Sequence, residues 1–423
     1  RTWTEISTGI APGAVANSIR EDPRQRGLLY ASTDTQVWVS FDDGDHWRSL
    51  RGNMPAISVR DLQIKDDSTC LCADLIAGTH GRGFWILDDV SPLRQAAAVK
   101  AAEAAAAPYL VRPLTAVRVR FGTNEPTPWP PEVPAGENPP PGAILDYFLP
   151  AAAAGAVTLE IRDAAGKLVR SYSSAAPLLD PEPAQDMEAY DQVCRKRPTA
   201  TFCGLPLYWS APQMRIGTGA GMHRVWWDLH LEPFPVENVE EAGDVTATGA
   251  VPHRTYPQVN APWAAPGAYT VRLTAGGKTS TQPLQLRLDP RVKTPAAGLA
   301  QLAALSREMY DGAMTARRAY VEARALVADL EKQTGSGIDA LRAQLDSLAP
   351  APQRGGRGRF FGRGPAAGPP TLESVSNGMM AAAMAMQGAD VAPTAGQVAA
   401  CARARAQLTE VLARWAALKA KRK

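Results

Sequence analysis

The amino-acid sequence predicts a multidomain, mainly β fold that ends in a group of α-helices. Three observations support this prediction: a sequence echo near the start, alternating apolar strands in the middle, and apolar residues at helical spacing toward the end. A chain of 423 residues is too long for one ordinary core, so several domains are expected. The 35 glycines and 36 prolines predict many turns between short elements.

The first part of the chain, residues 1–92, contains the echo. Its two units repeat at a step of about 45 residues, which is the length of one β-propeller blade. Short β runs separated by turn residues supply four strands in the first unit and three in the second, so we expect two blades. In a closed ring the missing strand is expected from the other end of the chain. The matching residues are Ile19-Arg20-Glu21-Asp22 with Ile64-Lys65-Asp66-Asp67, Tyr30-Ala31 with Ile76-Ala77, and Trp38-Val39 with Trp85-Ile86.

A turn motif follows the third strand of the first unit. Ser40, Asp42, Gly44 and Trp47 form the pattern Ser-x-Asp-x-Gly-x-x-Trp, known as an Asp-box. The Asp side chain can accept hydrogen bonds from amides of the turn, Gly44 can take a positive φ, and Trp47 can pack between sheets. This chemistry favours a turn-capping role for Asp42 over a catalytic or metal-binding one.

The Asp-box and the run at residues 78–89 resemble the last blades of bacterial BNR-repeat, sortilin-like β-propeller proteins. Members of this family are often described as glycosyl hydrolases or sialidase-like proteins. The resemblance implies a ring of many blades, most of them upstream of Arg1, with catalytic residues spread over several blades. None of those catalytic residues maps onto this chain, so the sequence predicts no catalytic residue here.

The loop between the second and third strands of the second unit contains His80 and Arg82 among glycines. Glycines let the backbone approach a neighbour closely, and the two side chains could face a ligand at the mouth of a propeller. The simpler interpretation is a tight turn that leads into the Phe84-Trp85 strand. We favour the turn, because loop residues without a catalytic partner seldom form a site.

The middle of the chain predicts a linker and then a β-sandwich. Residues 93–108 are rich in Ala, Lys and Glu, which suits a connecting helix or a linker. Alternating apolar strands over 109–291 predict an antiparallel sandwich that resembles immunoglobulin and fibronectin modules. An insert at 175–214 carries Cys194 and Cys203, which a disulfide could join or which could remain reduced. The insert could be a binding loop, but a loop lying on the sandwich is favoured.

Residues 292–423 predict a small antiparallel helical bundle. Thr294 followed by Pro295 resembles a helix cap with proline at the first helical position. The methionines Met379, Met380, Met384 and Met386 favour core packing over an adaptable docking face. The interrupting segment 350–370 contains arginines, glycines and two phenylalanines; we predict a disordered loop there in preference to a nucleic-acid-binding segment.

Several function classes receive no support from the sequence. The formal net charge of +3 gives no field suited to nucleic acid or an anionic membrane, and no apolar run is long enough for a membrane span. His223 and His230 are seven positions apart on an expected strand and should face opposite sides, so no metal site is predicted. The glycines at 217, 219 and 221 precede a strand, whereas a phosphate loop precedes a helix. No cofactor is expected.

Two functions remain open from the sequence. The first is the carboxy-terminal part of an exported propeller protein whose complete ring binds or hydrolyses glycans, this chain being structural or accessory. The alternative is a non-enzymatic scaffold that binds protein or peptide ligands. The chain begins Arg-Thr-Trp without an initiator Met or a signal peptide, so we expect the natural protein to begin upstream. Upstream blades are then the first expected partner, and the expected location is secreted or periplasmic.

Overall fold

The computed structural model describes residues 2–67, 72–120, 142–176, 187–196, 214–235, 250–251, 254–255, 259–333, 335–351 and 368–421, together with residues 133 and 136. Along these residues, several β-sheets come first and the long helices come last. The coarse prediction of sheets followed by helices is therefore confirmed. Most of the predicted insert and most of the segment 350–370 lie outside the described residues.

The first sheet is a four-stranded antiparallel meander in which sequential strands are neighbours. Every residue of its second and third strands is buried, so both faces of the sheet are covered there. The strands are β1 (Ala16–Glu21), β2 (Leu29–Thr33), β3 (Val37–Ser40) and β4 (Arg48–Ser49).

The second sheet repeats the same order of strands but has three of them among the described residues. Its strands are β5 (Val59–Asp67), β6 (Cys72–Thr79) and β7 (Phe84–Leu87). The sequence echo falls at matching places in the two sheets. Tyr30 and Ile76 both lie on the second strand of their sheets, while Trp38 and Trp85 both lie on the third. Equal spacing in the sequence therefore corresponds to equal positions in the fold.

The two sheets pack face to face through one buried apolar cluster. Tyr30 and Val39 of the first sheet lie in this cluster with Leu62 and Leu75 of the second. The alternation of side chains along β2 places Leu29 and Ala31 on the opposite face. A second cluster on that face contains Leu29, Ala31, Trp38 and Trp47. Trp47 thus lies on the side of the first sheet that is remote from the second sheet.

Two further sheets form the middle of the chain, after the helices α1 (Ser91–Arg94) and α2 (Ala96–Ala104), the second of which lies within the residues 93–108 that suited a connecting helix. The third sheet has the order β13-β10-β8 and the fourth has the order β12-β11-β16-β17-β9. A two-stranded pair, β14 with β15, stands apart from them. The strands are β8 (Tyr109–Leu110), β9 (Ala116–Arg118), β10 (Ala143–Leu149), β11 (Thr158–Asp163), β12 (Leu168–Ser173), β13 (Gly221–Trp227), β14 (Ala250–Val251), β15 (Arg254–Thr255), β16 (Gly267–Ala275) and β17 (Lys278–Leu288).

The third and fourth sheets share one apolar core with the C-terminal helices. Leu145 and Trp227 of the third sheet, Val271 of the fourth, and Met309 and Val411 of the helices belong to this cluster. The helices are α4 (Ala296–Leu330), α5 (Ser336–Leu348), α6 (Leu372–Met384) and α7 (Ala395–Ala420), and the described part of the insert holds α3 (Met187–Lys196). The shared core explains why the long helices are stable beside the sheets.

Two details of the helices bear on the sequence predictions. Met379, Met380 and Met386 are buried in the core, which confirms their packing role. The predicted cap at Thr294 is wrong, because α4 begins at Ala296 without a side-chain cap and the Thr294 hydroxyl donates to the carbonyl oxygen of Asp390. Thr294 thus ties the start of α4 to the loop between α6 and α7.

Candidate functional site

The Asp-box forms the connection between β3 and β4. The Ser40 hydroxyl donates to the Asp42 carboxylate at 2.8 Å and accepts from the backbone N–H of Gly44 at 2.9 Å. The same carboxylate accepts from the backbone N–H of His46 at 2.9 Å. Gly44 has φ +95°, as the motif requires. These contacts confirm that Asp42 accepts hydrogen bonds from its own turn.

The electrostatics of this turn agree with a structural carboxylate. Nδ1 of His46 lies 2.8 Å from the second carboxylate oxygen of Asp42. Hydrogen bonds from the His46 ring, the His46 amide and Ser40 lower the pKa of Asp42 to about 2. A carboxylate held ionised in this way is a poor general acid near neutral pH.

Trp47 is held by a segment that the sequence did not connect with it. Its indole N–H donates to the carbonyl oxygen of Ile6 at 2.6 Å, and its backbone N–H donates to the carbonyl oxygen of Thr8 at 2.8 Å. A Cβ at Gly9 would lie 2.3 Å from the carbonyl oxygen of Trp47, so Gly9 permits this close approach. The segment 6–10 therefore lies over the outer face of the first sheet, and Trp47 packs there instead of between the two sheets.

The loop with His80 and Arg82 is a tight hairpin turn between β6 and β7. The backbone N–H and the hydroxyl of Thr79 both donate to the carbonyl oxygen of Gly83, at 3.1 and 2.7 Å. Gly83 has φ +67°, and the backbone N–H of His80 donates to the carbonyl oxygen of Ser58 at 2.8 Å. The side chains of His80 and Arg82 are exposed and have no hydrogen bond or ion pair with the residues that the structure describes. The geometry is that of the favoured turn, and a ligand role stays a prediction.

An ion network joins the first two sheets to α1. Arg94 donates from Nε to both oxygens of the buried Asp22, each at 3.0 Å, and from Nη2 to Asp66 at 2.8 Å. Arg24 binds Asp66 with two further hydrogen bonds, which together with Arg94 lower the pKa of that carboxyl. Burial and the charge of Asp22 raise the pKa of the Tyr30 hydroxyl. Every carboxylate in this network faces a guanidinium, so it serves to hold the sheets.

A second group of carboxylates lies where the second sheet meets the third. Arg224 on β13 binds Asp146 on β10 through Nε at 2.8 Å and Nη2 at 3.0 Å. The same guanidinium also donates to the carbonyl oxygens of Asp88 and Asp89, which follow β7. Burial raises the pKa of Asp146, and burial together with the charge of Asp74 raises the pKa of Asp88. Arg224 therefore connects the two sheets through three neighbours at once.

A third network joins the fourth sheet to the helices. Asp390, in the loop after α6, binds Arg118 and, at 3.0 Å, Arg120. The Arg118 and Asp390 side chains are only 5% and 4% exposed. Burial lowers the pKa of Arg118, although the charge of Asp390 acts in the opposite direction. Arg120 also donates to the carbonyl oxygen of Gln387. Sequence reasoning missed this network because its members are far apart along the chain.

Aromatic residues close one side of this network. The rings of His230 and Trp263 lie 3.9 Å apart between centroids, and the Arg120 guanidinium lies 5.3 Å from the Trp263 centroid. Nδ1 of His230 lies 2.7 Å from the carbonyl oxygen of Asp228. Burial is the main cause that lowers the pKa of His230 to about 4. His230 is therefore neutral near pH 7 and packs as part of the junction.

The remaining candidates for metal, phosphate or redox chemistry are His223, the glycines before β13, and the cysteines. His223 binds the carbonyl oxygen of Gly219 through Nε2 at 2.8 Å, and the glycines at 217, 219 and 221 lead into β13, as expected. Among the residues that the structure describes, no group of three or more His, Cys, Asp or Glu side chains is arranged to hold a metal ion. Cys194 is disulfide-bonded, Cys203 lies outside the described residues, and Cys401 is free and buried.

Comparison with known proteins found no matching family model, no matching curated protein and no matching solved structure. In the described part of the chain, no helix has the length and apolarity needed to cross a membrane.

Proposed function

We propose that this chain is the structural, carboxy-terminal part of a larger BNR-repeat, sortilin-like β-propeller protein whose complete ring binds or hydrolyses glycans. In this proposal, the first two sheets are adjacent blades, and the third and fourth sheets form an immunoglobulin-like sandwich. The observation that carries the proposal is the pairing of two antiparallel meander sheets, packed face to face, with equivalent residues of the sequence echo at equivalent strand positions.

The outer face of the first sheet supports a continuation of this stack. Ile19 on β1 lies opposite Ala31 on that face and is 49% exposed. Trp3 is 95% exposed in the segment that leads to this face. Exposed large apolar residues beside a packed tryptophan cluster mark a surface suited to further packing. A preceding blade would pack against this face and bury these residues, as the first sheet packs against one face of the second sheet.

The accessory role is supported by the state of the carboxylates. Glycoside hydrolysis uses two carboxyl groups placed on either side of a sugar bond. Asp42 serves its turn, while Asp22, Asp66 and Asp146 each bind an arginine. This engagement favours an accessory role for the chain. It also favours the second candidate, a non-enzymatic scaffold for protein or peptide ligands, if upstream blades lack such a pair.

Cysteine labelling can test the proposed ring. Ile19→Cys should react rapidly with a maleimide in the 423-residue chain, and slowly in the longer natural protein, where a preceding blade covers it. Val391→Cys, which replaces another exposed apolar residue, in the helical part, should react equally in both. Equal labelling of Ile19→Cys in the two proteins would contradict the ring.

Turnover of aryl glycosides can test the accessory role. The purified chain should show none, because the first two sheets, proposed as two blades of a larger ring, cannot enclose a sugar. Turnover that follows the chain through successive purification steps would contradict that role. Glycan binding by the longer protein, compared with binding by the chain alone, then separates the glycan candidate from the scaffold candidate.

A further inference from the structure

His230 lies beside the junction between the fourth sheet and the loop that joins α6 to α7, residues 385–394. Its side chain is only 11% exposed, and its backbone forms an isolated antiparallel β-bridge with Trp263. The rings of the two residues lie 3.9 Å apart between centroids. The position of the His230 ring is therefore coupled to that of Trp263 through both backbone and side chain.

Trp263 connects His230 to the α6–α7 loop. The backbone N–H of Trp263 donates to Oε1 of Gln387 at 3.0 Å. The Arg120 guanidinium lies 5.3 Å from the Trp263 centroid, and it donates to the carbonyl oxygen of Gln387 and, at 3.0 Å, to the carboxylate of Asp390. A displacement of Trp263 would thus disturb the contacts of two residues of this loop.

The hydrogen bonds of His230 suit a neutral ring. Nδ1 lies 2.7 Å from the carbonyl oxygen of Asp228, so Nδ1 carries the proton of the neutral ring and Nε2 is the atom that gains a proton in acid. None of the residues that the structure describes offers a hydrogen-bond acceptor to Nε2. A proton added there creates a buried donor without an acceptor, which costs free energy.

The charges around the ring also oppose protonation. Burial lowers the pKa of His230 to about 4, and the charges of Arg170 on β12 and of Arg120 act in the same direction. The Asp228 carboxylate acts the other way, but it lies 3.8 Å from Nδ1 and binds Arg170 at 2.8 Å. Asp390 in turn binds Arg120. A proton on His230 therefore adds a positive charge beside two guanidinium groups whose carboxylates are already engaged.

We propose that His230 is an acid-sensitive switch: protonation of its ring displaces Trp263 and releases the α6–α7 loop from the fourth sheet, while the apolar cores of the chain stay folded. This proposal goes beyond the proposed function and does not rest on it. A ring without a preceding blade would leave it intact, and its own failure would leave the ring proposal intact.

The pH range of the switch follows from the two states of the ring. In the released state the ring regains an ordinary pKa of about 6.5. The closed state is therefore favoured in full above that pH, and the advantage is lost as pH falls toward about 4, the pKa of the enclosed ring. A difference of about 2.5 pH units shifts the equilibrium toward release by about 100-fold at pH 4.

Amide hydrogen exchange measures this release directly. The Trp263 amide reports on the switch, because its hydrogen is bonded to Gln387. The Leu273 amide reports on unfolding of the whole core, because Leu273 is buried in the central strand of the fourth sheet. After correction for the intrinsic effect of pH on exchange, the protection of Trp263 should fall at least tenfold relative to that of Leu273 between pH 7 and about 4.5.

Neutral replacements of the histidine test its role. His230→Gln and His230→Phe carry no titrating group, so each should keep the relative protection of Trp263 constant over this pH range. Two different side chains are used so that one of them suffices if the other disturbs the fold. His223→Gln is the matched control, because His223 contacts Gly219 and Tyr147 instead, and it should respond to pH like the wild type.

Three outcomes would overturn the proposal. If the Trp263 and Leu273 amides lose protection together, acid unfolds the core as a whole. If the selective loss at Trp263 persists in the folded neutral variants of His230, another group is titrating. If the relative protection of Trp263 stays constant in the wild type, the loop remains bound to the sheet when His230 is protonated.

Discussion

Replacing Asp390 with asparagine should loosen the contact between the fourth sheet and the helices. The carboxylate lies between Arg118 and Arg120, and one of its oxygens accepts from both guanidinium groups. Asparagine keeps the shape of the side chain but removes its charge, so both arginines would lose their anion. Thr294 donates to the backbone carbonyl of Asp390, and that contact should survive.

The expected cost follows from the burial of the charges. Removing one partner of a buried ion pair typically costs about 3–5 kcal/mol, because the other charge stays buried without compensation. Arg118 is nearly inaccessible, while Arg120 is 16% exposed and keeps its bond to the Gln387 carbonyl and its contact with Trp263. We therefore expect a loss near the lower end, about 3 kcal/mol.

Urea unfolding followed by circular dichroism and tryptophan fluorescence measures this loss. Asp346→Asn is the matched control, because Asp346 forms a single ion pair with Arg324 and is 46% exposed. That variant should lose less than about 1 kcal/mol. A loss in Asp390→Asn no larger than in the control would refute the reasoning, since the buried pair would then contribute no more than a surface pair.

Three further predictions concern the Asp-box and His230. Asp42→Asn should lower the melting temperature. The difference in melting temperature between the variant and the wild type should shrink as pH falls from about 4 to about 2. The reason is that the pKa of Asp42 in the folded protein is lowered to about 2, so its stabilising effect is lost on protonation. Gly44→Ala should destabilise the fold by at least about 1 kcal/mol, since φ is +95° and a Cβ would lie 2.9 Å from Ile6; a thermal melt equal to the wild type would contradict this. The stability of the wild type should fall as pH is lowered from 6.5 to about 4, because the pKa of His230 in the folded protein is lowered to about 4. His230→Phe should remove this dependence of the melting temperature on pH across the same range.

Local chemistry made the Asp-box predictable from sequence. Ser40, Asp42 and Gly44 lie within five positions, so the hydrogen bonds among them depend only on the turn. The helix caps show where such reasoning fails. Thr394 has Gln397 three positions later, and the two form a capping box at the start of α7. The residue three positions after Thr294 is Ala297, whose side chain cannot complete a capping box. The Thr294 hydroxyl donates instead to the backbone carbonyl oxygen of the distant Asp390.

The ion networks could not be read from the sequence, for a different reason. Arg118 and Asp390 are separated by 272 positions, and Arg224 and Asp88 by 136. Periodicity and turn signals describe neighbours along the chain, whereas these pairs form only when separate sheets and helices meet. The sequence around these arginines has no local feature that distinguishes a buried arginine on a strand from a solvent-exposed one. An arginine and a carboxylate that covary among relatives are the signal that would have found them.

The placement of Arg224 has a consequence for how the two halves of the chain are held. The first two sheets are built around one buried cluster, and the remaining sheets and helices around another. Arg224 bridges them by donating to the carbonyl oxygens of Asp88 and Asp89 while it holds the Asp146 carboxylate. Hydrogen bonds to these backbone carbonyls fix the position of the end of β7 relative to the third sheet. Because they are made to backbone atoms, substitution of the Asp88 or Asp89 side chain would leave them in place, whereas substitution of Arg224 would remove both of them together with the bonds to Asp146.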